Sequence, residues 1–212
     1  MREDETYSLP EWGPLALSYA GEGQRAALEA MLQLDCNLSR ITRGVSEPAL
    51  GQVRMAWWRD EILRDRAQGE TQPPDPLLRA IIRAWRAERS GLIALIDGWE
   101  HLLFDLPLDT EAKKAFARGR AQAFSALARL SGEAESEEDA ASHGAEWAAA
   151  ELTMMGQNAE ERSQDLPALP RNLRSLAIIG GLARRSIRRG GAPLIGDRLS
   201  PLVAMRLGIF GT

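Results

Sequence analysis

Asp97, His101 and Asp105 stand at i, i+4 and i+8. On a helix this spacing lines two carboxylates and an imidazole along one face, a donor set for a divalent ion. A solvated face opposite the apolar stripe of the same segment has the same spacing, and residue types alone favour it. Trp57-Trp58-Arg59-Asp60 is the second conspicuous run. Its guanidinium could stack on an indole or bind a phosphate. The simpler expectation is a Trp-anchored helix contact with the charges facing water. Cys36, the single cysteine, falls near an apolar helix stripe and reads as packing rather than as a nucleophile.

The sequence excludes more chemistry than it offers. It has no G-x-x-x-x-G-K-S/T, no G-x-G-x-x-G after a strand, no H-E-x-x-H and no G-x-S-x-G. One cysteine rules out an intramolecular disulfide framework and a multi-cysteine metal site, and two distant histidines, His101 and His143, argue against a His-rich centre.

Charge is unevenly spread over the 212 residues, whose net charge is −4. Residues 132–165 hold ten acids and one arginine, whereas residues 171–206 hold eight arginines and one acid. The second stretch, with Arg184, Arg185, Arg188 and Arg189, is a candidate contact for phosphates, anionic lipid or an acidic partner. The alternative is two helices of opposite sign that balance each other. No uninterrupted apolar run reaches the roughly 20 residues needed to span a bilayer. Residues 1–10 are acidic and polar, unlike a secretory signal, and are expected to be flexible. The expected compartment is a reducing cytoplasm, with peripheral attachment at the inner membrane left open. No nucleic-acid partner is expected.

These residues must be positioned by helices, because the apolar periodicity is helical almost throughout. Met31, Leu34, Leu38, Ile41 and Val45 step by three and four, predicting a helix over 24–43. Ser46, Glu47 and Pro48 read as the start of a second helix running to Gln68. With Leu50, Val53 and Trp57 on one face and Met55, Trp58 and Ile62 beside them, that helix is expected to be buried on two sides. Asp75-Pro76 opens a third helix carrying Leu78, Ile81, Ile82 and Trp85. A fourth carries Leu92, Leu95, Ile96, Trp99, Leu102 and Leu103 and ends at Pro107. A fifth spans 109–130 with an Ala-rich face. Ser136 and Asp139 have capping-box spacing for a sixth helix reaching Met155. A seventh covers 171–188, with Gly180-Gly181 set for close packing. A last apolar segment, 200–210, docks on the core. The expected architecture is an all-α single-domain bundle of about seven or eight helices over residues 1–212.

The run LDCNLSRITRGVSEPALGQVRMAWWRDEI, residues 34–62, is distinctive. Its Val45-Ser46-Glu47-Pro48, Leu50-Gly51-Gln52, Arg54-Met55 and Trp57-Trp58-Arg59-Asp60 resemble the squalene/phytoene synthase family, and more closely a divergent bacterial branch of it. Leu95-Ile96-Asp97-Gly98 with Glu100 is similar to the family's L-I-D-G-x-E segment. The resemblance is best over residues 25–105 and implies the isoprenoid (terpenoid) synthase fold.

Working members of that family join two prenyl diphosphates between two Asp-rich clusters. Mg²⁺ held by the carboxylates neutralises the departing diphosphate. This sequence departs from the pattern. Ser39, Arg40 and Arg43 fall where the first cluster is expected, and Leu102 replaces an Asp in the fourth helix. The segment LTMMGQNAEERSQDLP, residues 152–167, offers Glu160, Glu161 and Asp165 but no D-x-x-x-D. The resemblance extends to proteins similar to a mitochondrial assembly factor for respiratory complex I, with eroded Asp clusters. It therefore implies a non-catalytic binding or assembly factor that needs no cofactor. Arg40, Arg43, Arg59, Asp97 and Glu100 would line a retained pocket for a prenyl-like or other anionic lipid-like ligand, and a protein partner is also open. The alternative is an active Mg²⁺-dependent prenyl transferase, with Asp35, Asp97, Glu100 and Asp105 supplying metal oxygens and Arg40, Arg43 and Arg59 holding diphosphate.

Overall fold

The structure, a computed structural model, describes residues 7, 9–65, 73–104, 107–157, 165–196 and 200–210. Among these residues it is all-helical, with nine α-helices. They are α1 (Gly13–Ser18), α2 (Glu22–Gly44), α3 (Pro48–Leu63), α4 (Pro76–Ala84), α5 (Arg89–Glu100), α6 (Thr110–Leu130), α7 (Glu137–Met154), α8 (Arg174–Arg188) and α9 (Ser200–Phe210). The helix beyond the expected eight is α1, a six-residue element too short for a periodic stripe, although Pro14 in its first turn is a start signal.

Helix α2 buries the expected stripe of Met31, Leu34, Leu38 and Ile41, together with Asp35. Two starts follow the cap-then-helix signature. The Asp75 carboxylate accepts from the Leu78 amide at 2.8 Å, and Asp109 accepts from Ala112 at 2.7 Å. Each satisfies one of the amides a helix start leaves unpaired. The Ser136 capping box is not formed: a 3₁₀ turn, Ala134–Ser136, leads into α7, and the Ser136 side chain makes no cap bond. Glu137, Glu138 and Asp139 instead place three acids in the first turn, where the helix dipole favours them.

Two expectations fail on packing. Helix α3 is buried on one side, through Gly51, Met55, Trp58 and Ile62. Leu50, Val53 and Trp57 are 51%, 68% and 46% exposed, so the second apolar face is open. It also ends at Leu63, and Gln68 lies outside the described residues. The fourth expected helix is split, because α5 stops at Glu100 and His101–Leu103 form a 3₁₀ turn. Of the ten N-terminal residues expected to be flexible, Tyr7 and Leu9 pack against the core, and the Tyr7 hydroxyl donates to Asp75. Residues 1–6 and 8 lie outside the described set.

Helices α5, α6, α7 and α8 pack consecutively, each on the next. Small residues let them approach. A Cβ on Gly119 of α6 would collide with the Ala94 carbonyl oxygen of α5, and one on Gly180 of α8 would collide with the His143 ring of α7. Larger residues at these two positions would force the helices apart. The expected close packing of Gly180-Gly181 is thus present, with Gly181 receiving Leu207 of α9. The chain leaves α8 through Gly190 and Gly191, whose φ of 67° and 84° are the left-handed values that favour glycine.

Candidate functional site

The centre of the bundle holds a buried ion pair. Arg120 of α6 donates through Nε to Asp35 Oδ1 at 3.1 Å and through Nη2 to Oδ2 at 2.8 Å. Its Nη1 donates to the Trp147 carbonyl at 3.2 Å, and Glu151 of α7 stands 3.6 Å away. Trp99 of α5 donates its indole N–H to Asp35 Oδ1 at 2.7 Å. The guanidinium carbon lies 3.7 Å from the Trp147 ring centroid, 4.7 Å from Phe116 and 5.3 Å from Trp99. Removing both charges from water costs several kcal/mol per ion, about. The bidentate bond, the indole donor and the three ring faces offset that cost. Burial pushes the Asp35 carboxyl above its ordinary value, while the Arg120 charge and the Arg120 and Trp99 bonds pull the other way.

Outside this pair opens a cleft of about 540 Å³ between α2 and α7. Asp35, Cys36 and Trp147 line it, with Arg40 and Arg43 among the residues around it. Arg43 donates to Glu151 at 2.6 Å, so Glu151 couples the cleft to the buried Arg120. Burial and the neighbouring Asp35 push the Cys36 thiol up to about 12, which keeps it protonated and a poor nucleophile.

The other sequence candidates lie elsewhere. Arg59 donates to Asp97 at 2.6 Å and to Glu100 at 2.6 Å, tying α3 to α5. Burial opposes its charge, but the bonds to Glu100 and Asp97 outweigh this and raise its pKa. Arg59 is therefore committed to carboxylates and does not stack on an indole or stand ready for phosphate. Trp58 is buried, whereas Trp57 is half-exposed against it. Asp97 and His101 line a separate cleft of about 450 Å³ between α5 and α6. Asp105, Glu160 and Glu161 lie outside the described residues, and Asp165 sits by Arg184 at 3.7 Å. Arg184 bonds Glu146 at 2.9 Å and is largely buried, which removes it from the exposed basic surface expected of it. The balancing of the acidic and basic stretches is thus real at Arg184, which meets Glu146 and Asp165. Arg185, Arg188 and Arg189 line a third cleft at the end of α8.

Asp35 and Asp97 do not share a site. Both oxygens of Asp35 already accept bonds, and a divalent ion beside them would face a guanidinium. These residues do not fit Mg²⁺. Among the described residues no three His, Cys, Asp or Glu side chains group to hold a metal.

Arg120, Glu151, Trp99 and Trp147 were missed as site residues. Their sequence signal was a charge set in an Ala-rich helix: Arg120 in AFARGRAQAF and Glu151 in WAAAEL. A lone charge on a small-residue face must be paired when that face is buried.

An all-helical bundle with Arg-lined clefts between its helices, carrying the V-S-E-P and W-W-R segments, defines a class. A family model for squalene/phytoene synthase matches residues 13–154, well over half of the chain, and the protein belongs to that family. No curated protein and no solved structure matches the chain. The matched span covers α1 to α7, including every residue of the Asp35–Arg120–Glu151 network.

Proposed function

We propose that this member of the squalene/phytoene synthase family binds an anionic, prenyl-like ligand without turning it over, and serves as a binding or assembly factor like the complex I assembly proteins its sequence resembles. One observation carries the reading. Arg120 occupies the carboxylate that α2 offers to the central cleft, where a transferase needs Mg²⁺ to neutralise a leaving diphosphate. Arg120 is itself buried and matched by carboxylates, so the positive charge offered to an anion at this cleft is that of Arg40 and Arg43. Among the described residues no carboxylates cluster to hold the Mg²⁺ that would draw the diphosphate off its carbon. The apolar face of Leu50, Val53 and Trp57 on α3 is a surface that suits a protein partner, and so the assembly role.

The test is calorimetric titration with farnesyl diphosphate, with and without Mg²⁺, followed by product analysis. Binding that ignores Mg²⁺, yields no pyrophosphate and weakens roughly tenfold or more in Arg40→Gln/Arg43→Gln is the expected result. Mg²⁺-dependent binding with pyrophosphate release overturns the reading and restores the transferase alternative. No binding under either condition removes the ligand and leaves only the protein-partner role.

A further inference from the structure

Arg184, Arg185, Arg188 and Arg189 of the α8 end face Arg206 of α9 across a cleft of about 690 Å³. Leu166, Val203 and Leu207 give it apolar lining. Asp165 is the one carboxylate among its lining residues, and it lies by Arg184, which Glu146 also holds. Arg188 and Arg206 are exposed and bond no acid among the described residues. The helix dipole accounts for arginines in the last turn of α8. It does not account for Arg206, which a different helix brings to the same cleft. Like charges gathered in a concave site raise a positive potential that an anion relieves.

Helix α9 supplies a second, independent observation. Ala204 and Leu207 are buried, whereas Leu202, Met205 and Ile209 are 56%, 47% and 55% exposed. At 3.6 residues per turn these three fall within an arc of about 60°, and Arg206 lies between that arc and the cleft-facing Val203. Helix α9 is apolar on most sides, and Arg206 is its one charge. Its exposed apolar residues suit the headgroup layer, while the long Arg206 side chain can keep its guanidinium at the lipid phosphates. An acidic protein surface would answer the charge but not the apolar stripe beside it. Among the described residues no helix is long and apolar enough to cross a membrane, so such contact would be peripheral. Residues 171–210 also lie beyond the span that the family model matches.

We propose that the α8–α9 end docks on an anionic bilayer, with lipid phosphates entering the arginine cleft and Leu202, Met205 and Ile209 entering the headgroup layer. The full chain is tested by flotation with phosphatidylcholine vesicles, with and without phosphatidylglycerol, at low and high salt. Flotation only with phosphatidylglycerol, weakened by salt, is expected. Arg188→Gln/Arg206→Gln should weaken it roughly tenfold or more. Met205→Ser/Ile209→Ser should weaken it while leaving the salt dependence intact. Circular dichroism and thermal melting verify that both variants are folded. No flotation on either vesicle overturns the proposal, and so does flotation that neither pair of substitutions changes. Tight binding of a short-chain, water-soluble phosphatidic acid without flotation also overturns it, assigning the cleft to a soluble phosphate.

Discussion

At the centre of the bundle the Arg120 side chain is 1% exposed and meets Asp35 and Glu151 under three aromatic rings. At the α8–α9 end Arg188 and Arg206 face solvent with no acid bonded to them among the described residues. The same side chain serves two purposes because its surroundings differ. A buried guanidinium must be matched by carboxylates, so it fixes helices α2, α6 and α7 relative to one another. An exposed one keeps its charge in solvent, which is what the proposed bilayer contact would use. Arg184 is the intermediate case. It sits on α8 with the exposed arginines, yet Glu146 and Asp165 hold it.

Breaking the central pair should have the largest effect on stability. Asp35→Asn leaves Arg120 buried beside a neutral amide and should cost about 3–5 kcal/mol, read as a lower urea midpoint. A loss under 1 kcal/mol, roughly, would mean that Arg120 finds its balance in Glu151 alone. Next comes Glu146→Gln, which removes the bidentate acceptor of Arg184 and leaves the more distant Asp165. It should cost about 2 kcal/mol by the same measurement, because a charged, largely buried bond is lost. If it costs nothing, Arg184 belongs with the exposed group.

The contrast between the two ends was only half visible in the sequence. The stripe of Met31, Leu34, Leu38 and Ile41, and the caps at Asp75 and Asp109, are local signals, and each formed the expected element. The arginine-rich end was visible as composition. Arg120 and Glu151 were not, because the pairing of Asp35 with Arg120 joins positions 85 residues apart, and no local period encodes it. The opposite error affected Arg59 and Asp97. They were candidates for phosphate and metal, and the fold spends them on each other. Leu50, Val53 and Trp57 had the spacing of a buried face, but among the described residues no helix covers it. Periodicity shows that a face is apolar and says nothing about what covers it. Six-residue α1 fell below the length at which a period can be recognised.

His143 of α7 sharpens the comparison through pH. It lies beneath the arginine end, with its Nε2 2.9 Å from the Pro167 carbonyl. That acceptor requires the proton on Nε2, so Nδ1 carries the lone pair, against Gly180 and without a partner among the described residues. Burial lowers its pKa from 6.5 and Arg184 lowers it further, while the Pro167 bond, Asp139 and Glu146 act the other way. The sign follows from which state binds the proton. The unfolded ring takes it up near 6.5 and the folded ring only at lower pH, so stability is complete above 6.5 and declines as pH falls below it. Urea midpoints measured from pH 7.5 to 5 should drop for the natural chain, and the drop should be smaller in His143→Gln.

The smallest expected change in stability is at the exposed end, and there it is diagnostic. Arg188→Gln should change stability, read from the urea midpoint, by no more than about 0.5 kcal/mol, because it breaks no bond within the described fold. The same substitution should weaken adsorption to phosphatidylglycerol vesicles and reduce its salt dependence. Stability and binding then separate at one residue. Asp35 and Arg120 would show the reverse, a large loss of stability with salt-dependent adsorption unchanged in whatever fraction remains folded. If Arg188→Gln instead destabilised the fold as Glu146→Gln does, the exposed arginines would have structural partners, and the distinction between the two ends would fail.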